Sequence, residues 1–572
     1  MVAAVAFLGS SRGALEAQGG AGVALTGVVS SQSEPTMEGV LVIARRDGAN
    51  FTTTVVSDAQ GRYSFPRTHM APGTYTVTTR VTGMDLAKPA TIEVTGAKSA
   101  ALDLKVEKSA EPAAHRSSLE WAISLPGTSE MHDTFMKRGN CNYCHTYRRI
   151  FSSKHTAEQW PNVIRRMTTY YADGSAVSDD NRGQGHPSGI GGSGGTPAPP
   201  PREPRAGDKP PQPADNYRGI PLTEMGSFLA SFNLSGGKTT WSYPLKSLPR
   251  PSGKATRVIV TQWDIPRANV VSHDMTIDSK GIVWYADETS QTLGRLDPRT
   301  SVVTEFPMPP VPKGHLPGTR DVEVDKDDNV WVSVRVPGGA ALLSKFEPAT
   351  QKLTMVDGAY GQFIAVGAGP AGKAWINVPG SSAGEIVSRV DPRTMKVDKK
   401  YRFTNSPVTP PPGPYQMVVD SKGNPYVTSL YASYIVRWDG ETGTPTYWPM
   451  PDAGPRRGRM DSQDRFWFAQ YFGDKVGMLD TRTEKFSEWP LPHKWMNPYA
   501  ASVPDKNGYV YVSSNMAETV NRLDPKTGEI VSYLMPTNFD TKKIVHDPST
   551  SRVTLWMSNT RNARIVRVEP LE

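Results

Sequence analysis

The chain has 572 residues, with 64 Lys and Arg against 56 Asp and Glu, a formal charge of +8, 51 glycines, 50 prolines and 37% hydrophobic residues. That length excludes a single compact core and points to two to four domains. High Gly and Pro with modest hydrophobic content favours turn-rich β structure over helix bundles, and the diffuse basic charge, with no nucleic-acid motif, gives no ground for a nucleic-acid partner.

Residues 1–21 read as an export segment. Val2 to Leu8 is a short apolar run and Ala14-Leu15-Glu16-Ala17 offers a cleavage site, although no basic stretch precedes them. No later stretch reaches 18 apolar residues, so no membrane-spanning segment is expected.

Residues 22–107 alternate apolar and polar positions in short runs, among them Val40 to Ala44, Thr52 to Val56 and Tyr75 to Thr79. Turn signals such as Asp58-Ala59-Gln60-Gly61 separate them, which predicts a seven-stranded β-sandwich. Ser57 to Phe65, followed by Pro72-Gly73-Thr74-Tyr75-Thr76-Val77 and Gly83, resembles the carboxypeptidase regulatory-like domain. The resemblance implies a transthyretin-like sandwich without catalysis of its own. It would serve as a spacer or contact module, or bind cell-wall sugar or a partner.

Residues 112–236 carry the only two cysteines, in Cys141-Asn142-Tyr143-Cys144-His145. C-x-x-C-H is the attachment pattern of c-type haem: two thiols reach the vinyl groups and the histidine reaches the iron. A disulfide, a redox pair or half a zinc site are the alternatives, but zinc lacks further ligands nearby and a redox pair has no use for the histidine. The expectation is a small all-α cytochrome c domain with covalent haem c, bound by Cys141, Cys144 and His145. Met167 is the candidate distal iron ligand and His155 the alternative, with His186 and Met225 as further possibilities. Haem c is attached outside the bacterial cytoplasm, so the pentad implies a periplasmic or secreted protein. Helices are predicted over 117–123, 130–138, 156–167 and 222–232, the third opened by a Thr156/Gln159 capping box. The Gly- and Pro-rich stretch 183–216 reads as a disordered insert. Lys137, Arg138, Arg148, Arg149 and Lys154 offer a dock for an acidic redox partner, or a solvated rim, or partners for haem propionates.

Residues 250–572 hold two repeats in register. One places an aromatic after a turn, from Asp278 to Trp284, Asp325 to Trp331, Gly369 to Trp375, Asp420 to Tyr426, Asp461 to Trp467, Asp505 to Tyr511 and Asp547 to Trp556, at spacings of 41 to 51 residues. The other follows each, as in Leu296-Asp297-Pro298 and Leu479-Asp480-Thr481. Seven units of about four strands predict a seven-bladed β-propeller. The last unit is one strand short, and Thr256 to Trp263 is expected to supply it and close the ring.

Ile282 to Glu288 with Leu293-Gly294-Arg295-Leu296-Asp297, and Phe466 to Gln470 with Val476-Gly477-Met478-Leu479-Asp480, resemble the virginiamycin B lyase (streptogramin lyase) family. The family implies lactone opening by elimination, with a metal held by two glutamates and histidines as acid and base. The matching positions are His273 as general base and Asp287 or Glu288 as a carboxylate for a divalent metal. Val271 stands where the first glutamate is expected and Ser290 where the second histidine is. Residues flanking the inner strands should ring the central channel: His273, Asp274, Arg320, Asp321, Arg335, Asn377, Tyr415, Gln416, Arg456, Arg457, Gln470, Asn515 and Asn559.

The leading functional expectation is electron transfer by an exported monohaem cytochrome whose propeller binds a substrate or redox partner. The alternatives are a streptogramin-lyase-like metal-dependent eliminase and a non-catalytic envelope binding protein.

Overall fold

Seven antiparallel units of four strands follow one another along 258–570, the fifth and sixth joined into one eight-stranded sheet. The computed structural model describes residues 22–571 apart from 112, 128–129, 140, 143–144, 173–215, 218, 268–269, 313–316, 338–339, 370–371, 382–383 and 452. The segment 1–21, Cys144, His186 and all of the insert up to residue 215 therefore lie outside the described residues.

The repeats have a physical basis. In the first unit Asp278 accepts the backbone N–H groups of Lys280 and Ile282 with one oxygen, both at 2.9 Å, and the indole N–H of Trp284 with the other at 3.2 Å. One carboxylate thus shapes the turn and satisfies a buried indole. Asp325, Asp461 and Asp547 do the same for Trp331, Trp467 and Trp556, at 2.9, 3.0 and 2.8 Å. Asp505 takes the Tyr511 hydroxyl at 3.0 Å. The third unit has Gly369 in place of the aspartate, and there the buried Trp375 Nε1 has no partner. The second repeat is an Asx-turn: Asp297, Asp391, Asp480 and Asp524 each accept the N–H two residues on. Gly294 and Gly477 lie beneath the rings of Tyr285 and Phe468, where a Cβ would sit 1.9 and 2.4 Å from ring carbons.

The ring closes through Val258–Asp264. This strand pairs along its whole length with Arg564–Pro570 of the last unit. Its other edge pairs with Phe51–Val56 of the N-terminal module, Val260 opposite Thr54. One eight-stranded sheet therefore runs from the seventh unit into the sandwich-like module, where Leu41–Arg46, Gly73–Arg80 and Ala90–Val94 continue it. A second sheet, built on Val23–Ser30, faces it across a core that includes Leu25, Val42, Tyr63, Phe65 and Val106.

Side chains reinforce the joint. Arg80 pairs with Glu518 and donates to the Met535 carbonyl, and His69 meets Glu569 at 2.9 Å. Burial pushes Glu518 up to about 7 although Arg80 opposes it. The folded state therefore holds a proton that the unfolded chain releases above the usual 4.5. Its stabilising contribution is complete below pH 4.5 and is lost as pH rises through 7, at most about 3 kcal/mol. In urea titrations at pH 5 and pH 8, Glu518→Gln is expected to shrink the fall in stability. An unchanged difference between the two pH values would refute the assignment.

Residues 113–246 depart most from expectation. The described α-helices are Ser118–Ser124, Glu130–Thr134, Arg148–Phe151, Trp160–Ala172 and Leu222–Phe232, with a π turn at Phe135–Gly139. The first has a full capping box between Ser117 and Glu120. These helices pack on one another, as Phe151 does on Phe232, but their core is continuous with that of the array. Trp121, Phe135, Phe151, Leu229 and Phe232 share one hydrophobic cluster with Trp467, Val512 and Leu523 of the fifth and sixth units. Leu119 donates to the Met516 carbonyl at 2.7 Å, and Lys494 and Trp495 both bind Asp133. The segment is a rim on the array.

Candidate functional site at the channel mouth

Regular pairing breaks at the same place in four units. The register shifts between Ser272 and Met275, Thr319 and Val322, Pro455 and Gly458, and Pro498 and Ala501. A bulge turns two successive side chains out of the alternation. The first of each pair, His273, Arg320, Arg456 and Tyr499, belongs to one ring with Phe363, Tyr415 and Lys542. The second, Asp274, Asp321 and Arg457, belongs with Gln416 and Lys543 to another.

The second ring is a buried ionic plug. Arg457 reaches Asp274 at 2.6 Å and Asp321 at 3.8 Å, and Lys543 reaches Asp321 at 3.1 Å and Glu323 at 2.8 Å. Burial would raise the Asp274 carboxyl, but Arg457 and His273 hold it well below the usual range. Asp321 is raised by burial and by Asp274, against the pull of Lys543.

The first ring divides into two halves. In one, Asp274 takes His273 Nδ1 at 2.6 Å, leaving Nε2 facing Glu288 Oε1 at 3.7 Å. Arg320 closes an ion pair on the same Glu288 oxygen. Burial opposes the ionisation of Glu288, yet Arg320, His273, Arg335 and Lys542 together lower it. Arg335 is pushed down to about 10 by burial and by Arg320. In the other half Arg456 is enclosed by Tyr499, Tyr471 and Tyr415, with centroids 3.6, 4.2 and 5.2 Å away. Tyr415 and Tyr499 share a hydroxyl hydrogen bond. Tyr471 lies 3.5 Å from Asn142 of the helical rim.

Asp287 and Glu288 follow each other in sequence but serve different ends. Both oxygens of Asp287 are occupied, one by Val271 N, Thr289 N and the Thr289 hydroxyl, the other by Arg267 at 2.9 Å and the Ser290 hydroxyl. It fixes the loop. With Val271 apolar and Glu288 bound to Arg320, these residues do not fit a divalent metal. Among the described residues no three His, Cys, Asp or Glu side chains converge to hold one. The expectation of a metal in the propeller is corrected on that ground.

The haem reading is corrected as well. His145 is buried with Nδ1 2.8 Å from the Thr146 carbonyl, and Cys141 is half-buried against the shared hydrophobic cluster. Met167 packs on that cluster, Met225 is buried in it, and the His155 ring meets the edge of Trp160 at 5.3 Å. The described helices are short and lean on the array, and no metal-holding group is found among the described residues. An all-α cytochrome domain, haem c, its iron and electron transfer as the leading function are accordingly withdrawn.

Lys542, Lys543, Tyr499 and Phe363 were missing from the sequence-derived ring. A signal was present: His273, Arg320, Tyr415 and Arg456 each stand 11 residues before their repeat aromatic, and Phe363 and Tyr499 stand 12 before theirs.

Residues 24–107 match the carboxypeptidase regulatory-like domain. No curated protein matches the chain. Among solved structures, the chain is similar to a catalytically inactive virginiamycin B lyase from Staphylococcus aureus with quinupristin, at 18% identity and TM-score 0.46, over 55% of this chain and 99% of that one. It is similar to a streptogramin B lyase at 18% identity and TM-score 0.47, over 56% and 99%. Hydrazine synthase from Kuenenia stuttgartiensis gives 13% identity and TM-score 0.41, over 53% and 97%. The N-terminal module is thus of the regulatory-like class, and the succession of four-stranded units makes the array propeller-like. No helix among the described residues is long and apolar enough to cross a membrane.

Proposed function

We propose that the channel mouth is a lyase-type site at which His273 transfers a proton without a metal. The observation that carries this is the chain Arg457–Asp274–His273, with both contacts at 2.6 Å. A carboxylate on Nδ1 fixes the imidazole tautomer and leaves Nε2 to take a proton. In an elimination, Nε2 removes the hydrogen α to a carbonyl. The C–H electron pair becomes a C=C bond, the β C–O bond breaks, and the leaving oxygen departs as a carboxylate. Arg320 and Arg335 supply positive charge for the developing enolate oxygen. Glu288 accepts Arg320 at rest, and Arg320, the more exposed partner, swings to the substrate. Asp287 holds the loop.

The substrate class is a lactone or ester with an acidic α-hydrogen. Quinupristin is the probe, because the matched motifs resemble the lyase family. Ring opening followed by chromatography is expected with the native chain in the presence of a chelator. It should fall at least about 100-fold in His273→Ala, within the usual range for loss of a general base. No ring opening in the chelator, or ring opening only when a divalent metal is added, would refute the proposal.

A second reading, binding without turnover, is favoured by the burial of His273 beneath the Glu288–Arg320 pair. It predicts saturable binding of quinupristin with the lactone intact. Export to the periplasm or outside the cell is proposed on the Val2 to Leu8 run and the regulatory-like module, now without support from haem.

A further inference from the structure

Arg456 is a buried cation without a directly bonded counter-ion among the described residues. It is 2% exposed, its Nε has no hydrogen-bond partner, and its one side-chain hydrogen bond is to the Tyr415 hydroxyl at 3.5 Å. Among the described residues it forms no ion pair with a carboxylate. Its surroundings add positive charge. Lys542 Nζ lies 4.4 Å from the same Tyr499 ring that Arg456 covers at 3.6 Å. Asp540 is shared between Lys542, at 2.7 and 2.8 Å, and Arg561, at 3.6 Å. Lys542 and Arg561 thus have a carboxylate in ion-pair contact, and Arg456 beside them has none among the described residues. Burial and Arg456 push Lys542 down to about 8 against the pull of Asp540. A buried guanidinium edge with no hydrogen-bonding anion is costly, so Arg456 calls for one. Tyrosine rings cover the guanidinium faces, which leaves its Nε–Nη edge as the hydrogen-bonding surface. That edge is a planar fork and matches the two oxygens of a carboxylate.

We propose that Arg456, with Lys542 beside it over Tyr499, is a subsite for the carboxylate of a small-molecule ligand. This deepens the reading above by naming a charged group of the ligand. It stands on Arg456 rather than His273, so the two can fail separately. Entry requires the tyrosine cage to open, and Tyr431, which acts electrostatically on Arg456 and is 63% exposed, marks the solvent side.

The test is calorimetric titration of the full chain with benzoate, which has no α-hydrogen to lose and reports binding alone. Saturable binding is expected, weakened about tenfold or more in Arg456→Met, as for loss of a charge-assisted fork. It should persist in His273→Ala even if turnover of quinupristin is absent. No binding, or equal binding by Arg456→Met, overturns the subsite. Binding of inorganic phosphate in preference to benzoate overturns the carboxylate assignment. If Arg456→Met fails to fold, a crystal structure of the unaltered chain with benzoate decides: density on the Nε–Nη edge supports the subsite and its absence overturns it.

Discussion

Arg457→Met is expected to destabilise the chain by about 3–5 kcal/mol, the range seen when one partner of a buried ion pair is removed. The guanidinium is enclosed within the channel, 2.6 Å from Asp274 and 3.8 Å from Asp321, and covers the Phe363 ring at 4.8 Å. Methionine keeps much of the volume but leaves Asp274 with His273 alone. Lys543 still holds Asp321, so the loss falls mainly on Asp274. Urea denaturation of both chains measures the difference. A cost below about 1 kcal/mol would mean that water reaches the plug and that these charges behave as surface pairs. The paired change Arg457→Met with Asp274→Asn should recover part of the loss, because it removes the stranded charge as well as its partner.

How much of this was legible depends on which contacts are local in the chain. The Asp-to-aromatic repeat was readable because its hydrogen bonds span six residues in most units, from Asp278 to Trp284 and from Asp461 to Trp467. The glycine in Leu293-Gly294-Arg295 was visible as a pattern, but its reason, the Tyr285 ring lying flat across it, belongs to the neighbouring strand. The closing strand was foreseen from the missing fourth strand of the last unit. Its second partner, Phe51–Val56, was not, because nothing in Thr52-Thr53-Thr54 marks which strand lies beyond it. The bulges that build the mouth carry no composition of their own: Ser272-His273-Asp274 and Thr319-Arg320-Asp321 look alike only after alignment on the aromatic.

The pentad at Cys141 to His145 misled for a related reason. A five-residue motif is strictly local, whereas the packing of the helices around it is not. Trp121, Phe135 and Phe232 have the spacing of amphipathic helices, and in sequence that is equally consistent with a self-contained helical domain and with helices laid on another fold. The shared cluster with Trp467 and Val512 decides between them. His273 stands in the ring at the mouth, and Asp287 was not separable from Glu288 by sequence. The contacts of Arg267, Thr289 and Ser290 commit Asp287 to the loop, while Glu288 faces the mouth and takes Arg320.

Thr261→Pro is expected to open the ring and loosen the N-terminal module together. Thr261 is buried at the middle of Val258–Asp264, opposite Thr53 on one side and Arg567 on the other. Proline removes a ladder donor and crowds the strand, which is why it is confined to edge strands, strand starts and bulges. Because this strand joins the propeller-like array to the sandwich-like module, the damage should reach both sides. Hydrogen exchange followed by peptide mapping is expected to show faster exchange in Phe51–Val56 and in Arg564–Pro570, with the Lys475–Asp480 strand unchanged. Thr53→Pro provides the contrast, since it lies on the module's own strand and should spare Arg564–Pro570. If Thr261→Pro accelerated exchange only in Phe51–Val56, the array would have to hold its last unit by the inner strands alone. The contacts of His546 and Ser558 with Val503 and His273 would then carry the closure, and Val258–Asp264 would be an appendage of the module.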